Sequence, residues 1–323
     1  MKEGEKITKR SFLKRMAAVG GMLVFPKLGK NWFGVFDDLT EEKKSELPPM
    51  PMVKFGNYNI SKLVIGSNPM EGVSHYSRNM SNLMLEYCSD ENLLELFRLC
   101  EELGINTWQS HGTEQFMNLL DAHRKQEGKL NWIVSSSVRT VEEFPQNLKW
   151  LMTGKPIAFY HWGLTTDLYW NRGEIDKLRD IPKMIRDEGV LVGMCSHIPE
   201  VLEYIEEKDW DVDFYMACFY YPNKMQGKID EKTGKPYQGE YYGDEDREAM
   251  CKFIRQTKKF CFGYKILAAS RNAKTPEDAR NAFEYALKNI KKGDAVIVGM
   301  FLPYHVRDDT KYVKEIWHEM NPP

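Results

Sequence analysis

Between Val53 and Met320 short apolar runs alternate with stretches of helical periodicity, and this alternation limits the fold more than any other feature. The apolar runs are Leu63 to Ser67, Thr107 to Ser110, Trp132 to Ser136, Ile157 to Tyr160, Val190 to Cys195, Phe214 to Cys218, Phe260 to Tyr264 and Ala295 to Val298. Helical spacing follows over Glu91 to Leu103, Gln115 to Gln126, Val141 to Leu151, Ile175 to Glu188, from Pro199, over Asp244 to Gln256, Pro276 to Lys288 and His305 to Glu319. Strands alternating with helices imply a parallel sheet, and eight such units in about 270 residues imply closure into a barrel. Ahead of the first unit, Val53 to Phe55 and Asn59 to Leu63 flank Gly56-Asn57 and predict a small hairpin. The expectation is a single-domain α/β fold, a (β/α)8 TIM barrel with its N-terminal hairpin at the barrel base.

The first 51 residues follow different rules. Thr8-Lys9-Arg10-Ser11-Phe12-Leu13-Lys14 precedes an apolar run from Met16 to Phe25. A basic segment before a short apolar core is the physics of an export signal, and this one resembles the twin-arginine type with Lys9 in place of the first arginine. The run is about half of what spans a bilayer. No small-x-small cleavage site follows it, so an uncleaved, tethered protein is one expected form. The chain therefore divides into 1–30 as export signal or anchor, 31–51 as linker and 52–323 as barrel. The expected location is the periplasm or envelope, reached through the twin-arginine export machinery, with membrane contact only through the signal. The alternative is an amphipathic N-terminal helix on a cytoplasmic protein.

Charge and cysteine usage exclude several functions. A net charge of −2 gives no electrostatic basis for binding nucleic acid. The six cysteines show no CxxC spacing, and Cys195, Cys218 and Cys261 lie in apolar runs as small buried hydrophobes.

Chemistry in such a barrel belongs at the C-terminal ends of the strands. Those ends carry Gly66, Ser67 and Asn68; Gln109, Ser110 and His111; Ser137 and Arg139; His161 and Trp162; Ser196 and His197; Phe219, Tyr220 and Tyr221; Lys265; and Gly299, Met300 and Phe301. Three histidines, His111, His161 and His197, are expected to meet there, where each can donate, accept or bind metal. Carboxylates are nearly missing from the strand ends, which argues against a paired-carboxylate glycosidase and a magnesium or manganese site. Long segments over Asn68–Ser89, Trp162–Glu174 and Phe219–Gly243 carry aromatics suited to a ring-shaped or sugar-like small molecule, the last with a small hairpin near Thr233-Gly234.

Several of these segments resemble the aldo/keto reductase family, over about Val53 to Met320. The carriers are Gly104-Ile105-Asn106, Gly193-Met194-Cys195-Ser196-His197-Ile198-Pro199-Glu200, Tyr264-Lys265-Ile266-Leu267-Ala268-Ala269 and Ala295-Val296-Ile297-Val298-Gly299-Met300. The resemblance implies NADP(H) and carbonyl reduction. It places the carboxamide at Ser196 and His197, ring stacking at Phe219 or Tyr220, and the pyrophosphate at Leu267 and Ala269, with Lys265 among the cofactor-binding residues. Gly299, Met300 and Arg307 fall to the adenosine phosphate. Of the family's catalytic tetrad only the histidine matches, at His161. Gln109 stands for the aspartate, Ser137 for the lysine, and the tyrosine has no counterpart.

Three functions stay open on this reading. One is a divergent NADP(H)-linked oxidoreductase acting on a carbonyl or sugar-like molecule, with His111 or His161 as proton donor beside Gln109. Another is a non-redox lyase, isomerase or hydrolase whose histidines bind zinc or work as acid and base. The third is a catalytically inactive binding protein of the envelope.

Overall fold

The computed structural model describes residues 47–230 and 233–322; the segment expected to be an export signal (1–30) and most of the expected linker (31–51) lie outside them. In chain order come β1 (Met52–Phe55), β2 (Tyr58–Ser61), β3 (Leu63–Gly66), α1 (Arg78–Tyr87), α2 (Asp90–Glu102), β4 (Thr107–His111), α3 (Glu114–Lys125), β5 (Asn131–Ser135), α4 (Phe144–Met152), β6 (Ala158–His161) and α5 (Gly163–Asn171). They are followed by α6 (Ile181–Asp187), β7 (Leu191–Ser196), α7 (Pro199–Glu207), β8 (Phe214–Cys218), β9 (Ile229–Asp230), β10 (Lys235–Pro236), α8 (Asp244–Gln256), β11 (Phe260–Tyr264), α9 (Pro276–Asn289), β12 (Ala295–Gly299) and α10 (Pro303–Met320). Strands β3 to β8, β11 and β12 pair in parallel and close into an eight-stranded barrel, with β8 hydrogen-bonded to β11. This is the single-domain (β/α)8 fold that the alternation predicts. Among the described residues no helix is long and apolar enough to cross a membrane.

The hairpin β1–β2 plugs the lower end of the barrel. Phe55 meets Phe214, Phe260 and Phe262 at ring centroids 5.1, 4.9 and 5.1 Å away. Two of these contacts, to Phe214 and Phe262, are edge-on, and such aromatic pairs add to the burial energy of the rings. Val64, Ile133, Ala158, Phe214, Met216, Phe262 and Ala295 fill the lumen above them, while a separate apolar layer lies between the strands and the helices. Beside the plug, Lys62 is fully buried and donates to the carbonyls of Lys292 (2.9 Å) and Asp294 (2.8 Å), with its ammonium 4.2 Å from the Trp317 ring. Among the described residues the lumen is packed at its lower end and opens at its upper end.

Three boundaries differ from the sequence expectation. Asn68–Ser89, expected as a loop, contains a 3-10 turn (Asn68–Glu71) and α1. Trp162–Glu174 is not a loop: it contains α5, which turns Thr165, Thr166 and Asp167 inward and leaves Leu164 and Leu168 exposed. The segment expected as one helix from Ile175 to Glu188 is a 3-10 turn, Ile175–Leu178, and then α6. The hairpin expected near Thr233-Gly234 is present as the ribbon of β9 and β10.

Candidate active site

A cavity of about 520 Å³ opens at the upper end of the barrel. That volume suits a small organic molecule. Gln109, His111, Tyr160, Cys195, His197, Tyr264 and Lys265 line it, joined by Glu71 and His75 from the segment after β3.

Helix α5 supplies the first relay. Gly163 lets the helix start against β7, where an added Cβ would meet Cys195 Sγ at 2.6 Å. One turn on, Asp167 is buried and accepts from Ser196 Oγ (2.5 Å) and from His197 Nδ1 (2.6 Å). His197 Nε2 faces the Tyr264 hydroxyl at 3.3 Å, and that hydroxyl is 3.3 Å from Cys195 Sγ. Burial alone would push the His197 imidazole down, but the neighbouring Cys218 sulfur and Asp167 carboxylate outweigh it and raise the group to about 10. A protonated His197 donates from Nδ1 to Asp167 and from Nε2 to the Tyr264 oxygen, which frees the phenolic proton for the cavity. Burial holds Tyr264 well above the usual phenol range, so it keeps that proton.

The second relay comes from two loops. Glu240 Oε1 is 2.7 Å from His75 Nδ1, and Glu240 Oε2 accepts from the Tyr242 hydroxyl at 2.7 Å. Burial would raise the Glu240 carboxyl, yet its hydrogen bonds from His75 and Tyr242 hold it down at about 2. His75 Nε2 then faces Lys265 Nζ at 2.7 Å. Burial lowers the Lys265 ammonium from its ordinary value. Its backbone is left-handed (φ 60°), as are those of Ala268 (48°), Ala269 (50°) and Ser270 (70°). Such conformations cost side-chain-bearing residues about 1 kcal/mol each and are held where the surroundings impose them.

Facing the relays are neutral groups and one further acid. His111 Nδ1 pairs with Ser135 Oγ at 2.9 Å, and burial with the Lys265 charge pushes its imidazole down to about 4. Gln109 donates from Nε2 to the Tyr160 hydroxyl at 2.7 Å. Glu71 lines the cavity with its Oε1 buried and without a hydrogen-bond partner, and burial raises the carboxyl to about 7.

The expected meeting of three histidines needs correction. His111 and His197 line the cavity, but His161 does not. It points outward from β6, packs on Phe144 at 5.9 Å, and shares its Nδ1 with Thr166 Oγ1 at 2.8 Å. Tyr160 takes the inward position, and His75 completes the imidazole trio. Of the residues that the reductase resemblance assigns to a cofactor, His197, Lys265, Leu267, Ala269 and Gly299 line the cavity. Ser196 is fully buried, its hydroxyl committed to Asp167 and to the Ile198 carbonyl (3.1 Å). Phe219 is buried against β11, where a Cβ on Gly263 would come within 2.8 Å of its ring. Tyr220 is buried beside Tyr242 and accepts from Asn272 Nδ2 at 2.8 Å. Met300 is buried, and Arg307 is exposed on α10 away from the cavity. Ser137 lies exposed at the rim. Among the described residues no group of three His, Cys, Asp or Glu side chains is placed to hold a metal ion, so zinc has no ligand set there.

The carboxylates Glu71, Asp167 and Glu240 carry no clear mark in the sequence; Tyr160 and Tyr264 end predicted strands and His75 lies in the long segment after β3, but nothing in the sequence assigns any of the three a role. None of the carboxylates sits on a strand end; a 3-10 turn, a helix and a loop bring them in.

No family model and no curated protein sequence matches the chain. Solved structures do. An aldo-keto reductase of Bacillus halodurans in its holo form superposes with a TM-score of 0.53 at 12% identity, covering 83% of this chain and 91% of that one. A variant of Gox0644 in complex with NADPH superposes with a TM-score of 0.50 at 9% identity, covering 83% and 93%. At such identities the likeness shows the shared barrel fold.

Proposed function

We propose that the chain is an acid–base enzyme that moves a proton on a small carbonyl-bearing or sugar-like molecule without a nicotinamide cofactor. The observation that carries this reading is the hydrogen-bonded series Asp167–His197–Tyr264, which ends on a phenol in the cavity wall. A buried carboxylate orients the imidazole, the imidazole supports the tyrosine oxygen, and the tyrosine proton is delivered to a substrate oxygen. Glu71, titrating near neutrality, serves as the base that takes a proton from carbon or oxygen on the same ligand.

A nicotinamide fits the residues poorly. The hydroxyl of Ser196 is spent, and both rings assigned to stacking are buried in the wall. A second reading, NADP(H)-linked carbonyl reduction, draws on Lys265, Leu267, Ala269 and Gly299 at the cavity. It also draws on the NADPH that the Gox0644 variant holds. Under it, Lys265, Leu267, Ala269 and Gly299 would hold a nicotinamide cofactor whose chemistry is hydride transfer, and the Tyr264 relay would protonate the carbonyl oxygen.

The test is exchange of α-hydrogens of dihydroxyacetone and glyceraldehyde in deuterium oxide, beside titration with NADPH. Exchange that Tyr264→Phe abolishes, with no NADPH binding at millimolar concentration, is the expected result. NADPH binding with cofactor-dependent turnover and no exchange overturns it. Twin-arginine export to the envelope is part of the same proposal, supported by the Thr8–Lys14 motif. Fractionation of the native host tests it, and an enzyme found wholly in the cytoplasm defeats it.

A further inference from the structure

Among the described residues Lys265 is the one strand-end lysine lining the cavity, and its surroundings are unusual for a lysine that only carries charge. It makes no salt bridge with a carboxylate among the described residues; its Nζ partner is the neutral acceptor His75 Nε2 at 2.7 Å. Glu240 holds His75 from the far side through Nδ1 at 2.7 Å. The order carboxylate, imidazole, amine repeats the order carboxylate, imidazole, phenol of the neighbouring relay. It is the arrangement in which an imidazole removes a proton from a nucleophile. The left-handed backbone at residue 265 is maintained by the turn that follows, with Ala268 N donating to the Lys265 carbonyl at 2.8 Å.

We infer that Lys265 is a covalent nucleophile that captures the carbonyl carbon of an aldehyde or ketone as an iminium, with His75 as its base and Tyr264 as the acid at the carbonyl oxygen. This deepens the acid–base reading and rests on it for the protonation step. His75 Nε2 takes one proton from the ammonium, and the freed lone pair forms the carbon–nitrogen bond. The electrons of the carbonyl π bond pass to oxygen, which takes the Tyr264 proton. The added nitrogen then gives a second proton to the Tyr264 phenolate, which restores its lone pair; protonated His75 returns its proton to the hydroxyl, the carbon–oxygen bond breaks, and water leaves as that lone pair closes the C=N bond. Ammonium plus carbonyl compound thus become iminium plus water, two ammonium protons ending on oxygen. No oxidant or further reactant is needed. The iminium acidifies the adjacent C–H for the base Glu71, which makes aldehydes and ketones with an α-hydrogen the substrate class. Burial, which lowers the Lys265 ammonium, enlarges the reactive neutral fraction.

The experiment treats the whole protein with glycolaldehyde and sodium borohydride at pH 7.5 and follows peptide masses over time. The exposed Lys252 and Lys311 serve as internal references. Burial lowers the Lys265 ammonium and so enlarges its neutral fraction, and Lys265 is expected to label faster than they do. In His75→Gln the advantage shrinks at neutral pH and returns as pH rises, which a merely structural role does not produce. Lys265 labelling no faster than the two references in the wild-type protein overturns the inference. Deuterium exchange separates the two ideas. Exchange that Tyr264→Phe abolishes, without Lys265 trapping, removes the covalent step and leaves the acid–base reading. Trapping without exchange keeps the nucleophile and removes that reading.

Discussion

Asp167 Oδ2 and His197 Nδ1 lie 2.6 Å apart, although one sits on the helix after β6 and the other just past the end of β7. The contact joins two consecutive strand–helix units across the rim. It also fixes which imidazole nitrogen faces the cavity, because Nδ1 is committed and Nε2 is left for Tyr264.

Asp167→Asn removes the charge that helps keep this imidazole protonated. His197 is raised from 6.5 to about 10, so its contribution to stability is complete below pH 6.5 and is lost as pH rises through about 10. In the variant, burial is less opposed and the imidazole titrates lower. NMR titration of the His197 ring checks the shift. Thermal melts should show the wild-type advantage over Asp167→Asn shrinking between pH 7 and 10. The proton-transfer rate should fall about a hundredfold, within the range for a displaced general acid. An unchanged His197 titration refutes the account.

Glu71 sets the pH dependence of the reaction. Burial raises its carboxyl from 4.5 to about 7, and its buried Oε1 has no partner. As a base it works only when ionised, so the rate should rise with pH and level off above about 7. Glu71→Gln should remove that limb and lower the plateau about a hundredfold. The same substitution should make the protein more stable at pH 8. A group raised by folding favours the native state below pH 4.5, and that benefit fades as pH climbs through about 7. A rate profile identical in the two proteins contradicts the assignment.

The barrel itself was legible because each unit needs an apolar run and an amphipathic partner. The site was only half legible, for reasons that can be named. His161 and Tyr160 are neighbours on a strand covered on both faces, and such strands show no alternation to tell inward from outward. The direction is visible only in packing, with Phe159 and His161 both turned to Phe144 and Tyr160 turned to the cavity. Helix α5 was hidden because its pattern is inverted, with Thr165, Thr166 and Asp167 buried and Leu164 and Leu168 exposed. Glu240 and His75 are 165 residues apart on separate loops, and nothing local in either marks the meeting. His197 and Lys265, by contrast, follow directly from strand ends.

His161 offers a test of that inward and outward division. It is buried, its Nδ1 faces Thr166, and burial pushes its imidazole down to about 3. Because the unfolded chain binds a proton near 6.5, stability should fall as pH drops below that value, by up to about 1.4 kcal/mol per pH unit for such a group. His161→Leu should therefore flatten the acid side of the stability curve while costing about 1 kcal/mol at pH 7 through the lost Thr166 hydrogen bond. Proton-transfer activity should survive within a few fold. Its abolition, in a variant that remains folded, would return His161 to the chemistry.

The closed lower end predicts a purely structural lesion. Gly193 lies opposite Phe214 in the ladder between β7 and β8, and a Cβ there would sit 2.3, 2.5 and 2.8 Å from atoms of the Phe214 ring. That ring cannot retreat, since it is wedged against Phe55 at 5.1 Å and Phe262 at 5.7 Å. Overpacking of a filled core costs about 1–3 kcal/mol. Gly193→Ala should lower the free energy of unfolding by that amount, read from denaturant melts, and leave KM unchanged, because the cavity is at the other end. Shortening the obstructing ring in Gly193→Ala/Phe214→Leu should recover part of the loss, so the pair should be less destabilised than the sum of its single changes. Additive losses in the double variant would mean that the ring is not what the new methyl group meets.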